Sequence, residues 1–102
     1  MNIVDTGRGL IVTNVFRVRP ENQATLVDTI RHGGDPAVPG LVSMNLLRSE
    51  DGTQVINQMY WESRQAFEEA VSHNTEIAAT MEAVGRLIEG AGPMRHEIVP
   101  VT

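Results

Sequence analysis

The sequence contains no cysteine, which excludes disulfides, thiolate metal sites, iron–sulfur clusters and a cysteine nucleophile. It also lacks any apolar run near the roughly 20 residues that span a bilayer. Its first residues do not follow the basic-then-apolar plan of a signal peptide. We therefore expect a cytoplasmic protein with no membrane partner.

Basic residues are scarce. The chain has 8 Lys and Arg against 13 Asp and Glu, a net charge of −5, and the basic residues form no cluster. A phosphate backbone would find no extended basic surface to bind, so nucleic acid is excluded as a partner. With 102 residues and 41% hydrophobic content, the chain fits a single domain over residues 1–102 with a modest core.

The common cofactor and hydrolase motifs are missing as well, because the sequence has no GxGxxG, GxxxxGKS/T, HExxH or GxSxG. His32, His73 and His96 fall on different predicted elements without i,i+3 or i,i+4 spacing, so no metal site is predicted. Surface positions suit all three. His73 has an alternative role as a base at a pocket mouth, because it lies between two helical segments close to the end of a strand.

Hydrophobic periodicity predicts the first half of the fold. A β-branched run at residues 9–18 predicts a strand, and its alternation places Leu10, Val12 and Asn14 on one face. Pro20 suits the first turn of a helix over residues 20–32. After a loop, residues 41–49 predict a second strand that turns at Asp51-Gly52 into a third.

The second half continues with helices. Ser63 is a good N-cap for one helix, and Asn74 or Thr75 can begin another. The last stretch, MRHEIVPV at residues 94–101, predicts a final strand. The order β-α-β-β-α-β indicates an α+β, ferredoxin-like fold with a four-stranded antiparallel sheet and helices on one face. The bare sheet face predicts a homodimer.

The third strand carries the candidate chemistry. Alternation puts Val55, Asn57, Met59 and Trp61 on one face, so an amide and an indole N–H stand among apolar side chains, an arrangement typical of small-molecule pockets. The alternative is a packed core in which Asn57 is a satisfied amide and the methionines fill gaps.

The turn at Asp51-Gly52 also predicts how the second strand pairs with the third. With those two residues as the loop, the partners on the pocket face are, in order, Leu46 with Asn57, Met44 with Met59, and Val42 with Trp61.

The run VINQMYWES, with Asn57 four residues before Trp61 and Glu-Ser leading into a helix, resembles the antibiotic biosynthesis monooxygenase family. The VPG before the second strand and the DGT of the hairpin fit the same family. The resemblance covers roughly residues 9–99 and is greatest to the cofactor-independent, quinone-forming monooxygenases of aromatic polyketide biosynthesis. It implies a dimeric α+β barrel with a pocket between sheet and helices in each protomer.

The resemblance implies catalytic roles for Asn14, Asn57 and Trp61. The other candidate site residues are expected to bind the substrate: Val12, Phe16, Met44, Met59, Phe67, His73 and Met81. Two positions depart from relatives, since Phe67 stands where one has a tyrosine and Met81 lies about where an arginine occurs. Haem-degrading relatives would place their axial histidine at Thr80, so haem is not expected.

The expected function is oxidation of a polycyclic phenol, an aromatic polyketide of the anthrone or naphthacenone type, by O₂ to a quinone without metal, flavin or other cofactor. A polyketide cyclase on the same scaffold is one alternative. A non-catalytic dimeric module that only binds such a ligand is another.

Overall fold

The structure is a computed structural model that describes residues 1–33 and 38–89. Its strands form one antiparallel sheet in the order β1-β2-β4-β3. The strands are β1 (Asn2–Asp5), β2 (Leu10–Arg17), β3 (Leu41–Arg48) and β4 (Gln54–Trp61). The helices are α1 (Gln23–Gly33), which follows a short 3₁₀ turn at Pro20–Asn22, α2 (Arg64–His73) and α3 (Thr75–Leu87). No helix in the described ranges is long and apolar enough to cross a membrane.

The predicted ferredoxin-like, four-stranded antiparallel sheet is confirmed, but one of its four described strands was not predicted. Strand β1 pairs with the start of β2, from Asn2 opposite Thr13 to Asp5 opposite Leu10. A four-residue strand is too short to show a clear alternating pattern, and its tight turn depends on Gly7, which has a φ of +81°. The predicted last strand, residues 94–101, lies outside the described residues.

Alternation along the two central strands separates a covered face from an outer face. On β2, Leu10 and Val12 are fully buried, and on β4, Val55 and Trp61 are buried. These side chains cluster with side chains of all three helices, so the helices cover this face of the sheet. The predicted faces of both strands are confirmed. Register places Asn14 of β2 directly opposite Asn57 of β4.

The β3–β4 hairpin follows the predicted register until a bulge interrupts it. Leu46 lies opposite Asn57, and Met44 lies opposite Met59, as predicted. The prediction for Val42 was wrong, because a register shift between Leu41 and Ser43 places Leu41 opposite Trp61 instead. The extra residue of a bulge has no cross-strand partner, and Val42 is accordingly exposed.

Side-chain caps fix the helix starts. The Ser63 hydroxyl accepts a hydrogen bond from the Ala66 N–H at 3.0 Å, and Asn74 Oδ1 accepts from the N–H groups of Glu76 and Ile77. Both predicted caps are confirmed. These oxygens satisfy N–H groups that have no partner within their own helix. Because Asn74 caps α3 directly after α2, the chain changes direction there without a loop.

The core consists of two clusters of buried side chains rather than one. The first surrounds Trp61 and contains Leu10, Val12, Val38, Trp61, Phe67 and Ala70. The second lies at the other end of the sheet's covered face and contains Val18, Leu26, Ile30, Val55 and Val84. Domains of this size usually form one contiguous core. The division into two clusters therefore indicates that the side chains between them are not closely packed.

Candidate functional site

A cavity of about 380 Å³ lies between the covered face of the sheet and the helices. Its wall includes Trp61 and Phe67 of the first core cluster and Ile30 and Val84 of the second, so the cavity separates the two clusters. This volume falls in the range of roughly 300–1,000 Å³ that is typical of small-molecule sites. The walls are predominantly apolar.

Most of the predicted site residues meet at this cavity. Those that line it are Asn14, Phe16, Met44, Asn57, Met59, Trp61, Phe67 and Met81. The strand residues reach it because they share the covered face, and Phe67 and Met81 reach it from α2 and α3. Periodicity in the sequence therefore identified strand residues that share one cavity wall, since residues on one face of neighbouring strands must lie close together.

Two predicted site residues do not line the cavity. Val12 is on the correct face, but it is fully buried in the cluster around Trp61 and forms part of the packing behind the wall. His73 is the last residue of α2 and is exposed. At about 100° per residue, it points some 120° around the helix from Phe67, which faces the cavity. The structure therefore does not place His73 where a base at the pocket would have to be.

Two buried polar atoms in the wall have no hydrogen-bond partner among the described residues. They are Oδ1 of Asn57, a residue 7% exposed, and Nε1 of Trp61, a residue 2% exposed. Leaving such an atom unpaired in the interior costs about 1–3 kcal/mol, and nearly all buried polar groups in folded proteins are paired. Both residues line the cavity, but the two atoms themselves have almost no accessible surface, so a bound ligand could pair them only after a small rotation of the side chains.

The two unpaired atoms have opposite hydrogen-bonding character. An indole N–H only donates, whereas an amide oxygen only accepts. Asn57 was predicted as a donor, and its amide nitrogen, for which no hydrogen bond is found among the described residues, keeps that role open beside the buried acceptor oxygen. A ligand that satisfies both atoms must offer an acceptor and a donor at two separate positions, because the Cα atoms of these residues, four apart on β4, are roughly 13 Å from each other. Asn14, directly across from Asn57, supplies a second amide to the same part of the wall.

An aromatic contact fixes the indole. The rings of Trp61 and Phe67 meet edge to face, with centroids 5.6 Å apart and planes at 66°. Such contacts are worth about 0.5–1.5 kcal/mol beyond the area that they bury. Phe67 thus restricts the direction in which the Trp61 N–H points.

No side chain among the described residues of the cavity wall is ionisable. The hydroxyl of Thr80, another polar group in the wall, donates to the Glu76 carbonyl at 2.9 Å. The displaced pKa values belong to groups outside the wall. Hydrogen bonds from Thr53 and Ser49 lower the pKa of Asp51 to about 2, and Glu89 raises the pKa of Arg19. The wall can therefore orient a ligand, but its side chains offer no acid or base.

Sequence reasoning missed the remaining wall residues: Met1, Ile30, Gly33, Val38, Leu41, Val71, Ile77, Thr80, Val84, Gly85 and Ile88. The 3,4-spacing of apolar residues along residues 77–88 identified one face of a helix and could have identified this wall. Met1 and Gly33 gave no such signal, because their approach to the cavity depends on tertiary packing. No group of three or more His, Asp or Glu side chains able to hold a metal ion occurs within residues 1–33 and 38–89.

The chain belongs to the antibiotic biosynthesis monooxygenase family, whose sequence pattern matches residues 9–83. No curated protein matches the sequence significantly. Several solved structures match the chain. A monooxygenase from the ActVA-Orf6 gene of Streptomyces coelicolor, in complex with the ligand nanaomycin D, is 29% identical with a TM-score of 0.69. The match covers 95% of this chain and 96% of that one.

Two further structures share the fold at lower identity. A mutant of SnoaB, a cofactor-independent oxygenase from Streptomyces nogalater, is 20% identical with a TM-score of 0.67, over 80% of this chain and 85% of that one. Rv0793 from Mycobacterium tuberculosis is 23% identical with a TM-score of 0.69, over 90% and 94% of the two chains. These two matches support the fold alone.

Proposed function

We propose that this protein is a cofactor-independent monooxygenase that oxidises a polycyclic phenol of the anthrone or naphthacenone type with O₂ to a quinone. The observation that carries the proposal is an apolar cavity lined by Asn57 and Trp61, two residues whose buried polar atoms Oδ1 and Nε1 have no partner among the described residues. A flat aromatic ligand with a ring hydroxyl and a separate ring carbonyl matches the apolar wall and offers a donor and an acceptor to the two polar residues. The family and the similar monooxygenase from the ActVA-Orf6 gene support the same reaction class.

The reaction needs no external electron donor. Loss of a ring proton converts an anthrone into an electron-rich enolate, which passes one electron to O₂. The resulting radicals combine at the ring carbon to form a hydroperoxide, and this eliminates water to leave the quinone. One oxygen atom enters the product, and the other leaves as water with the two hydrogens of the ring carbon.

The protein's part is to bind, orient and stabilise charge. Trp61 donates its N–H to the oxyanion that develops on the substrate, an interaction commonly worth about 3 kcal/mol in the transition state. Asn57 Oδ1 accepts from a ring hydroxyl and so fixes the orientation of the rings. Asn14 holds the same edge of the substrate from the neighbouring strand.

The first proton goes to water at the cavity mouth rather than to a side chain. No ionisable side chain stands among the described residues of the wall. The ring carbon of an anthrone is acidic because its anion is delocalised over the whole ring system. Stabilising that anion lowers the barrier without a dedicated base.

One experiment separates this function from its two alternatives. The purified protein is mixed with a panel of anthrones, with and without O₂, while quinone formation and oxygen uptake are followed. A monooxygenase forms quinone and consumes oxygen only in the aerobic samples. A cyclase converts its polyketide equally well without oxygen, and a binding module gives no product in either. Catalysed quinone formation that continues without O₂, or its absence in air across the panel, would overturn the proposal.

We also propose that the protein acts as a homodimer joined through the outer face of the sheet. That face carries an apolar set of side chains: Val4, Ile11, Val15, Leu47 and Ile56. Thr13, which lies among them, has a buried hydroxyl with no partner in the described part of the chain. A second copy packed on this face would cover the apolar side chains and could pair that hydroxyl.

A further inference from the structure

Gly85 breaks the row of side chains that α3 presents to the cavity. Ile77, Met81 and Gly85 follow one another at four-residue spacing, and all three line the cavity. Residues four apart lie one above another on a helix face. Ile77 and Met81 therefore each contribute a large side chain to the wall, whereas Gly85 contributes none. The wall is interrupted at Gly85.

Neither backbone conformation nor packing requires a glycine at this position. Gly85 lies inside α3, three residues before the cap at Ile88, and its φ is not positive, so it does not serve as a left-handed helix end. A Cβ built on it meets no atom within 4 Å. By contrast, Gly33, which also lines the cavity, is packed against Thr80 with no room for a side chain.

Glycine in a helix interior is unfavourable, and only proline is worse. Each of the other described glycines has a positive φ or a neighbour that excludes a Cβ. Gly85 has only open space beside it. Glycine at position 85 weakens the helix and gains no packing contact in return. Its presence is explained if the empty space beside it is used.

The gap lies at the mouth of the cavity. Gly85 is exposed, and so are two other residues that line the cavity, Met81 at 57% and Val71 at 39%. The polar atoms of Asn57 and Trp61 lie on the sheet, whereas α3 forms part of the helical wall. A ligand held at the sheet by those atoms can extend past α3 into solvent through the gap.

We propose that Gly85 is a specificity-determining residue: its missing side chain admits a fused ring or substituent of the substrate that extends beyond a three-ring core. This inference rests on the proposed function for the class of substrate. It adds that the natural substrate is larger than anthrone and that its far end leaves the cavity beside α3. Side-chain size at position 85 then sets the largest ring system that binds.

The test measures binding without turnover. Trp61 is the chain's single tryptophan and lines the cavity, so quenching of its fluorescence reports a bound ligand. The probes are two quinones that do not react further, the three-ring 1,8-dihydroxyanthraquinone and a four-ring hydroxylated naphthacenequinone. Each is titrated into the wild-type protein, Gly85→Leu, Gly85→Ala and the control Ala79→Leu. Ala79 is exposed on α3 and is not part of the wall.

We expect Gly85→Leu to raise the Kd of the four-ring probe at least tenfold and that of the three-ring probe less than twofold. Gly85→Ala should shift the four-ring Kd in the same direction by about two- to threefold, and it serves as the test if the leucine variant does not fold. Ala79→Leu should change neither Kd. Equal weakening of both probes, no weakening, or failure of the wild-type protein to bind the four-ring probe would overturn the inference.

The inference and the proposed function can fail separately. If wild-type protein consumes no oxygen with any anthrone while Gly85→Leu still weakens only the four-ring probe, the proposed oxidation is wrong and the role of Gly85 in substrate size stands. If oxygen uptake is found and discrimination is not, the function stands and the role of Gly85 is wrong. Melting temperature gives a further check. If neither backbone conformation nor packing requires glycine at position 85, Gly85→Ala should raise Tm by roughly 2–6 °C, because alanine is the better helix former.

Discussion

At the scale of single residues, the indole of Trp61 has two roles that can be separated. It packs against Phe67 in the first core cluster and lines the cavity, and its N–H is buried without a partner among the described residues. Trp61→Phe keeps most of the aromatic bulk and removes the N–H. If that group donates to charge that develops during oxidation, kcat should fall by roughly 10- to 1000-fold while substrate affinity changes little.

A purely structural Trp61 gives the opposite pattern. Phenylalanine would then leave a partly filled cavity, lower Tm and spare turnover. Measuring kcat and Tm on the same Trp61→Phe preparation therefore distinguishes the two roles, and an unchanged kcat with a lowered Tm would contradict the catalytic one. Asn57→Ala should also lower kcat, with a larger rise in KM, because Oδ1 holds the substrate before the reaction as well as during it.

The absence of an ionisable side chain from the described cavity wall predicts the pH dependence of the reaction. The pH dependence of kcat should follow the acidity of the substrate and should move when a substrate of different acidity is used. His73→Ala should leave the profile unchanged between about pH 5 and 8, where a histidine base would titrate. A step in the profile that disappears in His73→Ala would show that the histidine acts as the base.

At the scale of elements, the turn between β3 and β4 contains a carboxylate that stabilises it in a pH-dependent way. Asp51 Oδ1 accepts from the Thr53 N–H at 3.0 Å and from the hydroxyls of Ser49 and Thr53, each at 2.7 Å. These bonds lower its pKa from 3.8 to about 2. The folded pKa is the lower one, so the stabilisation is present above pH 3.8 and is lost as pH falls towards 2.

This prediction is tested with Asp51→Asn, which keeps an acceptor oxygen but removes the charge. The wild-type protein should have the higher Tm at neutral pH, and the difference between the two proteins should shrink to nothing as pH approaches 2. Thermal melts at a series of pH values measure it. A difference that stays constant across the series would mean that the charge of Asp51 does not stabilise the turn.

The strands and helices differ in how far the sequence predicts their position. Strand β4 was predicted with its faces because alternation determines them, and its predicted register to β3 holds although the loop contains residues 50–53 rather than two residues, since Ser49 N–H donates to the Gln54 carbonyl. A bulge was left open as a source of a register shift, but its position at Val42 could not be predicted, since an extra residue leaves no distinct mark in a run such as LVSMN. The cavity residues Asn14 and Asn57 were found from strand periodicity, whereas Gly33 and Gly85 were not, because their position depends on how α1 and α3 pack.

At the scale of the whole molecule, the outer face of the sheet predicts self-association. Leu47 lies on that face and is 51% exposed, so Leu47→Lys should leave the folded chain intact while placing a charge in the proposed interface. Sedimentation at micromolar concentration should give the mass of two wild-type chains and of one Leu47→Lys chain. Ala79→Lys, on the exposed side of α3, is the control and should remain dimeric. A wild-type mass equal to one chain would refute the dimer.

The central claim is that the protein alone transfers one atom of O₂ to a polycyclic phenol. The most direct test is turnover of an anthrone under ¹⁸O₂ by protein treated with EDTA and free of flavin and haem absorbance. We predict one O₂ consumed for each quinone formed, and one ¹⁸O atom in each product molecule. Loss of oxygen uptake after EDTA treatment, or a quinone whose new oxygen comes from water, would contradict the account.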